Sequence, residues 1–292
     1  LVATLPSWIY FDTVLIKASI DILMLTAGFW LVLLETRHWP AWKALSLGIG
    51  LGVLFSILRF SQGASALYVL AFAVYLLAHR EGGPFRRRLL VVLPMVILVL
   101  GSQMAFKYRD VLFGIPKRHF LPVAGVHFRI GFQPGAIGTY HVLQRFPALP
   151  LGHTFFARMT AEAKYGRPLT PREADREYTQ EALDFIRGNP GEVPMILCRK
   201  IGLFFNNFEC AENHYLRHLR SRISILNLPT VGYGGLVVLA LWGSAALWRQ
   251  RRFAWMLLLN GLLLAVLIPN LLGFVTWRYR FHATVPLAIL AG

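Results

Sequence analysis

Three sets of polar side chains in this sequence could do chemistry, and each stands beside a long apolar run. Arg59 closes one run, and Trp277-Arg278-Tyr279-Arg280 closes another. Two arginines straddling Tyr279 in so short a turn suit a phosphate or pyrophosphate, which the planar guanidinium fork grips with parallel bonds. The competing reading is of snorkelling anchors, with Trp and Tyr as the usual interface girdle. Lys17 and Asp21 stand four residues apart near the outer end of the first run. That spacing puts them on one helix face, where they can pair, and such a pair inside a membrane faces a bundle interior or a water-filled cavity. Asp12, just before that run, is open to three readings: general base, metal ligand or helix cap. The third set is Asn206, Asn207, Glu209, Glu212, Asn213 and His214. Side chains of these types ligate cations or hydrogen-bond sugar hydroxyls, or simply form a solvated turn. His127 and Arg129 are similarly open. They lie in a stretch marked by Gly125, Gly131, Gly135 and Gly138, which lacks the strand context and glycine spacing of a nucleotide fingerprint.

The elements that must position these groups are membrane spans. Of the 292 residues, 56% are hydrophobic, above what a soluble domain of this size carries. The excess clusters in runs long enough to cross a bilayer as helix, at about 14–34, 40–58, 61–78, 89–106, 229–248 and 253–275, with a truncated one from 283. The expected fold is therefore an all-α polytopic membrane protein, a bundle of about seven transmembrane helices, with residues 1–106 and 229–292 forming the bundle. Residues 107–228 form an external α-rich loop domain carrying interfacial helices. Net charge is +16, from 30 Lys and Arg against 14 Asp and Glu. The loops Glu35–Lys43, His79–Arg88 and Arg249–Arg252 hold clusters of basic residues and fall on one side, as cytoplasmic loops do. The long loop, the Arg59 turn and the Trp277–His282 turn then share the opposite, external face. Nucleic acid is a poor partner, because no basic run is interleaved with aromatics outside the spans. The chain starts at Leu1 and stops at Gly292 inside an apolar run, which reads as a piece of a longer protein.

Within the long loop, Thr170-Pro171-Arg172-Glu173 predicts a capping box and a helix running to about Arg187, with Gly188 as a left-handed C-cap. Asn189-Pro190-Gly191-Glu192 predicts a second helix with a similar cap. Its apolar residues Val193, Leu197, Ile201, Phe204 and Phe208 recur at helical spacing, with Arg199 and Lys200 elsewhere on the circumference. Two readings are open: a helix lying in the membrane interface with Arg199 and Lys200 at headgroup level, or a helix buried under the loop. Cys198 and Cys210 are expected as free thiols, because a straight helix would hold them roughly 18 Å apart. No Cys/His spacing resembles a zinc site.

Gly125-Val126-His127-Phe128-Arg129-Ile130-Gly131-Phe132-Gln133-Pro134-Gly135-Ala136-Ile137-Gly138-Thr139-Tyr140 resembles a segment written roughly G-x-N-F-Y-x-G-N-N-P-x-A-x-G-x-Y. It occurs in bacterial glycosyltransferases of the dolichyl-phosphate-mannose protein mannosyltransferase type (glycosyltransferase family 39), within the GT-C superfamily. Phe185-Ile186-Arg187, Pro190-Gly191, Arg199-Lys200 and Phe205-Asn206 with Glu209 are similar to that family's F-I-R-x-x-P-G, R-K and F-x-N-x-x-E. Arg278-Tyr279-Arg280 followed by Pro286-Leu287-Ala288-Ile289-Leu290-Ala291-Gly292 resembles its R-Y-R-x-P and P-x-L-A-x-L-A-G. His127 and Arg129 stand where the family has Asn and Tyr, Phe132-Gln133 where it has Asn-Asn, and Ala18 follows Lys17 where an acidic residue is common.

The resemblance implies an enzyme that moves a sugar, with inversion, from a polyprenyl-phosphate-linked donor to a lipid, glycan or protein acceptor. A carboxylate in the first external loop would deprotonate the acceptor hydroxyl or hold a divalent cation such as Mg or Mn. That loop is expected upstream of Leu1, leaving Asp12 as the candidate base within the chain. Arg59, Lys17, Arg278 and Arg280, with Tyr279, would hold the lipid phosphate, and His127, Arg129, Asn206, Glu209, Asn213 and His214 would face sugar or acceptor. A transporter or flippase of lipid-linked sugars and a diverged non-catalytic scaffold are the competing readings, although no internal repeat of the transporter kind is present.

Overall fold

The computed structural model describes residues 21–33, 39–61, 65–79, 83–112, 124–140, 152–207 and 232–292. Among them there is no strand, only an isolated parallel bridge between Thr139 and Val275. The helices are α1 Asp21–Leu33, α2 Ala41–Ser61, α3 Ser65–Ala78, α4 Phe85–Leu112, α5 Ala124–Gly131, α6 Gly152–Tyr165, α7 Pro171–Gly188 and α8 Glu192–Phe205. They continue with α9 Tyr233–Arg249, α10 Phe253–Leu272, the single turn α11 Trp277–Arg280, a 3-10 turn Phe281–Ala283, and α12 Thr284–Ala291. Three segments are long and apolar enough to cross a membrane: Ala41–Leu58, Phe85–Ala105 and Phe253–Leu272. Asp21–Leu33, Ala66–Ala78 and Phe281–Ala291 are shorter apolar helices. Trp30, Ile49, Ile57, Ile97 and Trp242 stand exposed on these helices and on α9. Water penalises so much exposed apolar surface and hydrocarbon does not, so the architecture is compatible with a membrane protein. Arg86, Arg87 and Arg88, placed in a loop by the sequence pattern, belong to the first turn of α4.

Contacts divide the chain into two units. Unit 1 comprises Leu1–Arg109, Leu236–Val266 and Phe281–Gly292, and unit 2 comprises Asp110–Gly235 and Leu267–Arg280. Residues 267–280, counted with the bundle in the sequence, thus join the polar segment. In unit 1, α2 and α4 run parallel in close contact. A Cβ on Gly48 would meet the main chain of Val91, and one on Gly52 would meet Leu98 at 2.8 Å and Met95 at 3.1 Å. This is small-xxx-small packing, which lets two backbones approach where no water drives association. Gly243 sits on the Leu290 carbonyl in the same way, and Gly261 on Ala71. Phe72 of α3 fills the centre, edge-on to Phe29 and tilted against Phe55.

In unit 2 the capping box of α7 is present. Thr170 Oγ1 accepts from the Glu173 N–H, and the Glu173 carboxylate accepts from the Thr170 N–H at 2.7 Å. Pro171, Ala174, Tyr178, Ala182 and Phe185 form its buried stripe, the i, i+3/i+4 spacing of an amphipathic helix. Two terminus assignments need correction. The C-cap of α7 is Asn189 at φ −131°, with no left-handed glycine, because the Asn189 N–H and side chain both bond the Phe185 carbonyl. Gly191 begins α8 without any side-chain cap bond.

Gly48→Ala is expected to lower the thermal midpoint of the chain in detergent, by the equivalent of about 1–3 kcal/mol from overpacking. Gly50→Ala, where nothing lies within 4 Å of the new Cβ, should leave it unchanged or raise it slightly through helix propensity.

Candidate functional site

Unit 2 brings the glycine-rich stretch, α8 and residues 271–280 together around two cations. On α8 the buried residues are Ile196, Lys200 and Phe204, so Lys200 occupies the i+4 position in the middle of an apolar stripe. Lys200 is fully buried at 0% exposure. The expectation of Lys200 at headgroup level is therefore overturned, whereas Arg199 is exposed. The Lys200 ammonium donates to the Leu271 carbonyl at 2.7 Å and lies 3.8 Å from the Phe132 ring centroid. Leu271 is in the last turn of α10, where carbonyls have no helical partner and the dipole favours a cation. Two glycines make room. A Cβ on Gly131 would meet Lys200 Nζ at 2.9 Å and collide with the Gly273 carbonyl. Gly138, at φ +89°, passes within 3.3 Å of Lys200 Cγ by the same measure. Burial pulls the Lys200 pKa down from 10.5 to about 7.

Arg280 repeats this arrangement at the end of α8. It is 4% exposed and donates through Nη1 to the Leu203 carbonyl at 2.7 Å and the Asn206 carbonyl at 2.9 Å, with its guanidinium 4.7 Å from the Tyr233 ring. Asn206 thereby enters the site through its backbone, while the Asn207 side chain accepts from the Gly234 N–H. Beside Arg280, Phe274 gathers three half-buried rings: His127 at 5.1 Å, Tyr140 at 5.1 Å and Tyr279 at 5.9 Å between centroids. The Val275 N–H donates to the Gly138 carbonyl at 2.9 Å, pinning the glycine stretch to this cluster. His127 and Tyr279, separated widely in sequence, are thus neighbours of one ring.

Arg129 faces the other way, onto α7. It donates to the Glu181 carboxylate at 3.0 Å, and Lys164 of α6 donates to the same carboxylate at 2.7 Å. Burial pushes the Glu181 pKa up, but the Lys164 and Arg129 bonds outweigh this and hold it below the usual carboxylate range. Asp175 of α7 accepts from the Gly125 N–H at 2.7 Å, satisfying an orphan donor in the first turn of α5. Gly125 has no room for a Cβ there, since it would strike the Asp175 carbonyl and Thr179.

Unit 1 contains a pair that sequence spacing did not reveal. Asp21 Oδ2 lies 3.3 Å from His282 Nε2, both side chains buried. The partner found for Asp21 is thus His282, 261 residues away in sequence. The available signal was Asp21 itself, standing on the buried stripe that continues through Leu25, Phe29 and Val32.

Asp12, Lys17, Glu209, Glu212, Asn213, His214 and Cys210 lie outside the described residues, as do the side chains of Arg59 and Arg278. Cys198 is an exposed free thiol. Among the described residues no three His, Cys, Asp or Glu side chains are grouped to hold a metal ion. No family model, curated protein or solved structure matches the chain.

The depressed Lys200 pKa has a definite sign for stability. Between about pH 7 and 10.5 the unfolded chain binds the proton that the folded chain has lost, so folding gains stability as pH rises through that window. The thermal midpoint in detergent should rise from pH 7 to 10 more steeply in the native chain than in Lys200→Met. Equal slopes would show that Lys200 keeps an ordinary pKa.

Proposed function

We propose that this chain is an integral-membrane glycosyltransferase of the GT-C type. It moves a sugar with inversion from a polyprenyl-phosphate donor to a lipid, glycan or protein acceptor on the outer face of a bacterial inner membrane. In this reading the apolar helices of unit 1, with those near 14–34 and 229–248, make a bundle of about seven spans. The polar segment 107–228 stands on the periplasmic side.

One observation carries the reading. The three stretches that resemble the family motifs are far apart in sequence, yet all contribute to one packed cluster in unit 2. Phe132 of the first covers Lys200 of the second, and Arg280 of the third holds the Leu203 and Asn206 carbonyls of the second. In this reading the Arg278–Arg280 turn presents positive charge to the departing lipid phosphate, where charge develops as the sugar leaves. With Arg280 anchored on carbonyls, Arg278 is the better placed in sequence to reach the phosphate. The half-buried His127, Tyr140 and Tyr279 rings offer an aromatic and hydrogen-bonding wall against which a sugar can lie. Within the chain, Asp12 is the candidate for the carboxylate that takes the acceptor proton.

Turnover of polyprenyl-phosphate-linked sugars by the full-length protein in membranes tests the reading directly. Arg278→Gln is expected to lower turnover about ten- to a hundredfold, the loss of one charge-assisted bond to phosphate, with the thermal midpoint unchanged. Absence of any such turnover by the unaltered protein would sink the proposal, and unaltered kinetics in the variant would reduce Arg278 to an interface anchor.

A further inference from the structure

Among the described residues of unit 1, a group of exposed cations stands at one end. Because Gly48 lies on Val91 and Gly52 on Met95, α2 and α4 run in direct register. Five residues back along each, about 7.5 Å at 1.5 Å per residue, Lys43 and Arg86 therefore stand at one level. Helix α10 runs antiparallel to α3: Gly261 sits on Ala71, and Trp255 packs on Tyr75 at 4.9 Å and on His79 at 6.3 Å. That places the start of α10, and the Arg249–Arg252 turn before it, beside the end of α3. Arg88 ties α3 to α4 by donating to the Leu77 carbonyl. The same end of the unit thus carries Lys43, Arg86, Arg249, Arg251 and Arg252, all exposed.

None of these five is paired with a carboxylate among the described residues. The connecting sequence adds Arg37 and Arg80 against Glu35 and Glu81, which leaves the balance positive. Around the cations lies a rim of exposed rings: Trp42 beneath Lys43 at 5.5 Å, Phe85, and Trp248 stacked edge-on with Phe253 at 5.3 Å. Rings of this kind settle at the level of lipid headgroups. Uncompensated positive charge at that depth is complementary to a phosphodiester and to little else a bilayer offers.

We propose that this basic, aromatic-rimmed end of unit 1 binds anionic phospholipid headgroups. The proposal rests on unit 1 being embedded in a bilayer and is independent of sugar transfer.

The test uses the full chain in nanodiscs of phosphatidylcholine alone or with phosphatidylglycerol, reading the thermal midpoint and the lipid retained on mild detergent extraction. The native chain should be more stable with phosphatidylglycerol and retain it preferentially, and the preference should shrink as salt is raised. Each cation removed should weaken that preference roughly fivefold, from about 1 kcal/mol per surface charge. Arg249→Gln with Arg252→Gln is the first variant. Lys43→Gln with Arg86→Gln is the second, in case the first disturbs the turn, where Arg251 holds φ +57°. Arg172→Gln with Arg187→Gln in unit 2 should change nothing. An unaltered preference in either folded collar variant would overturn the proposal, as would no preference in the native chain. Equal stabilisation by inorganic phosphate in detergent would overturn the assignment to lipid. Failure to insert into nanodiscs would overturn the membrane placement, and with it both this proposal and the integral-membrane reading above, whereas loss of sugar transfer alone would leave this proposal standing.

Discussion

The arrangement of unit 2 is built around one buried amine, that of Lys200. Lys200 must be held somewhere that tolerates a cation, and the protein supplies a carbonyl from the last turn of α10 and the face of Phe132. Both favour the charged form, while burial opposes it, and burial prevails enough to bring the pKa to about 7. Around Lys200 the chain at Gly131 comes closer than a side chain would allow, and Gly138 takes the left-handed φ of +89°. The glycine stretch, the end of α10 and α8 thus meet at one side chain.

The same device recurs. Arg280 closes the end of α8, and Arg88 closes the end of α3. A helix end inside a poorly hydrated environment leaves carbonyls that water cannot satisfy, and a long basic side chain is the group that can reach them. Part of the strong positive charge of this chain thus has a structural use. Lys200, Arg280 and Arg88 are internal caps, whereas Lys43, Arg86, Arg249, Arg251 and Arg252 stand exposed. That separation gives the two populations different chemistry: the inner one sets geometry, and the outer one meets whatever anion the surroundings provide.

Glycosyl transfer, in the reading advanced above, asks for a rigid wall behind the reacting groups. The Phe274 cluster meets that requirement, since His127, Tyr140 and Tyr279 lean on one ring and the Val275 N–H locks it to Gly138. Arg129, grouped in sequence with His127, serves a different contact. It braces α5 against α7 through Glu181, which it shares with Lys164. Neighbouring residues on one short helix are thus divided between the candidate site and the scaffold beneath it.

The sequence by itself determined the helical class, the apolar segments and the capping box of α7. These follow from local pattern: run length against bilayer thickness, and the reach of a hydroxyl and a carboxylate within one turn. It also marked Gly125, Gly131 and Gly138 as unusual, without saying what approaches them. Only the tertiary structure decided that Asp175, Gly273 and Lys200 do so. It alone paired Asp21 with His282, and it moved Lys200 from an expected membrane surface to the interior. The reason is common to Asp21 and Lys200. A charged residue on an apolar stripe has two stable outcomes, snorkelling outward or meeting a partner inside. Which one holds depends on a carbonyl, ring or imidazole that the chain delivers from far away in sequence.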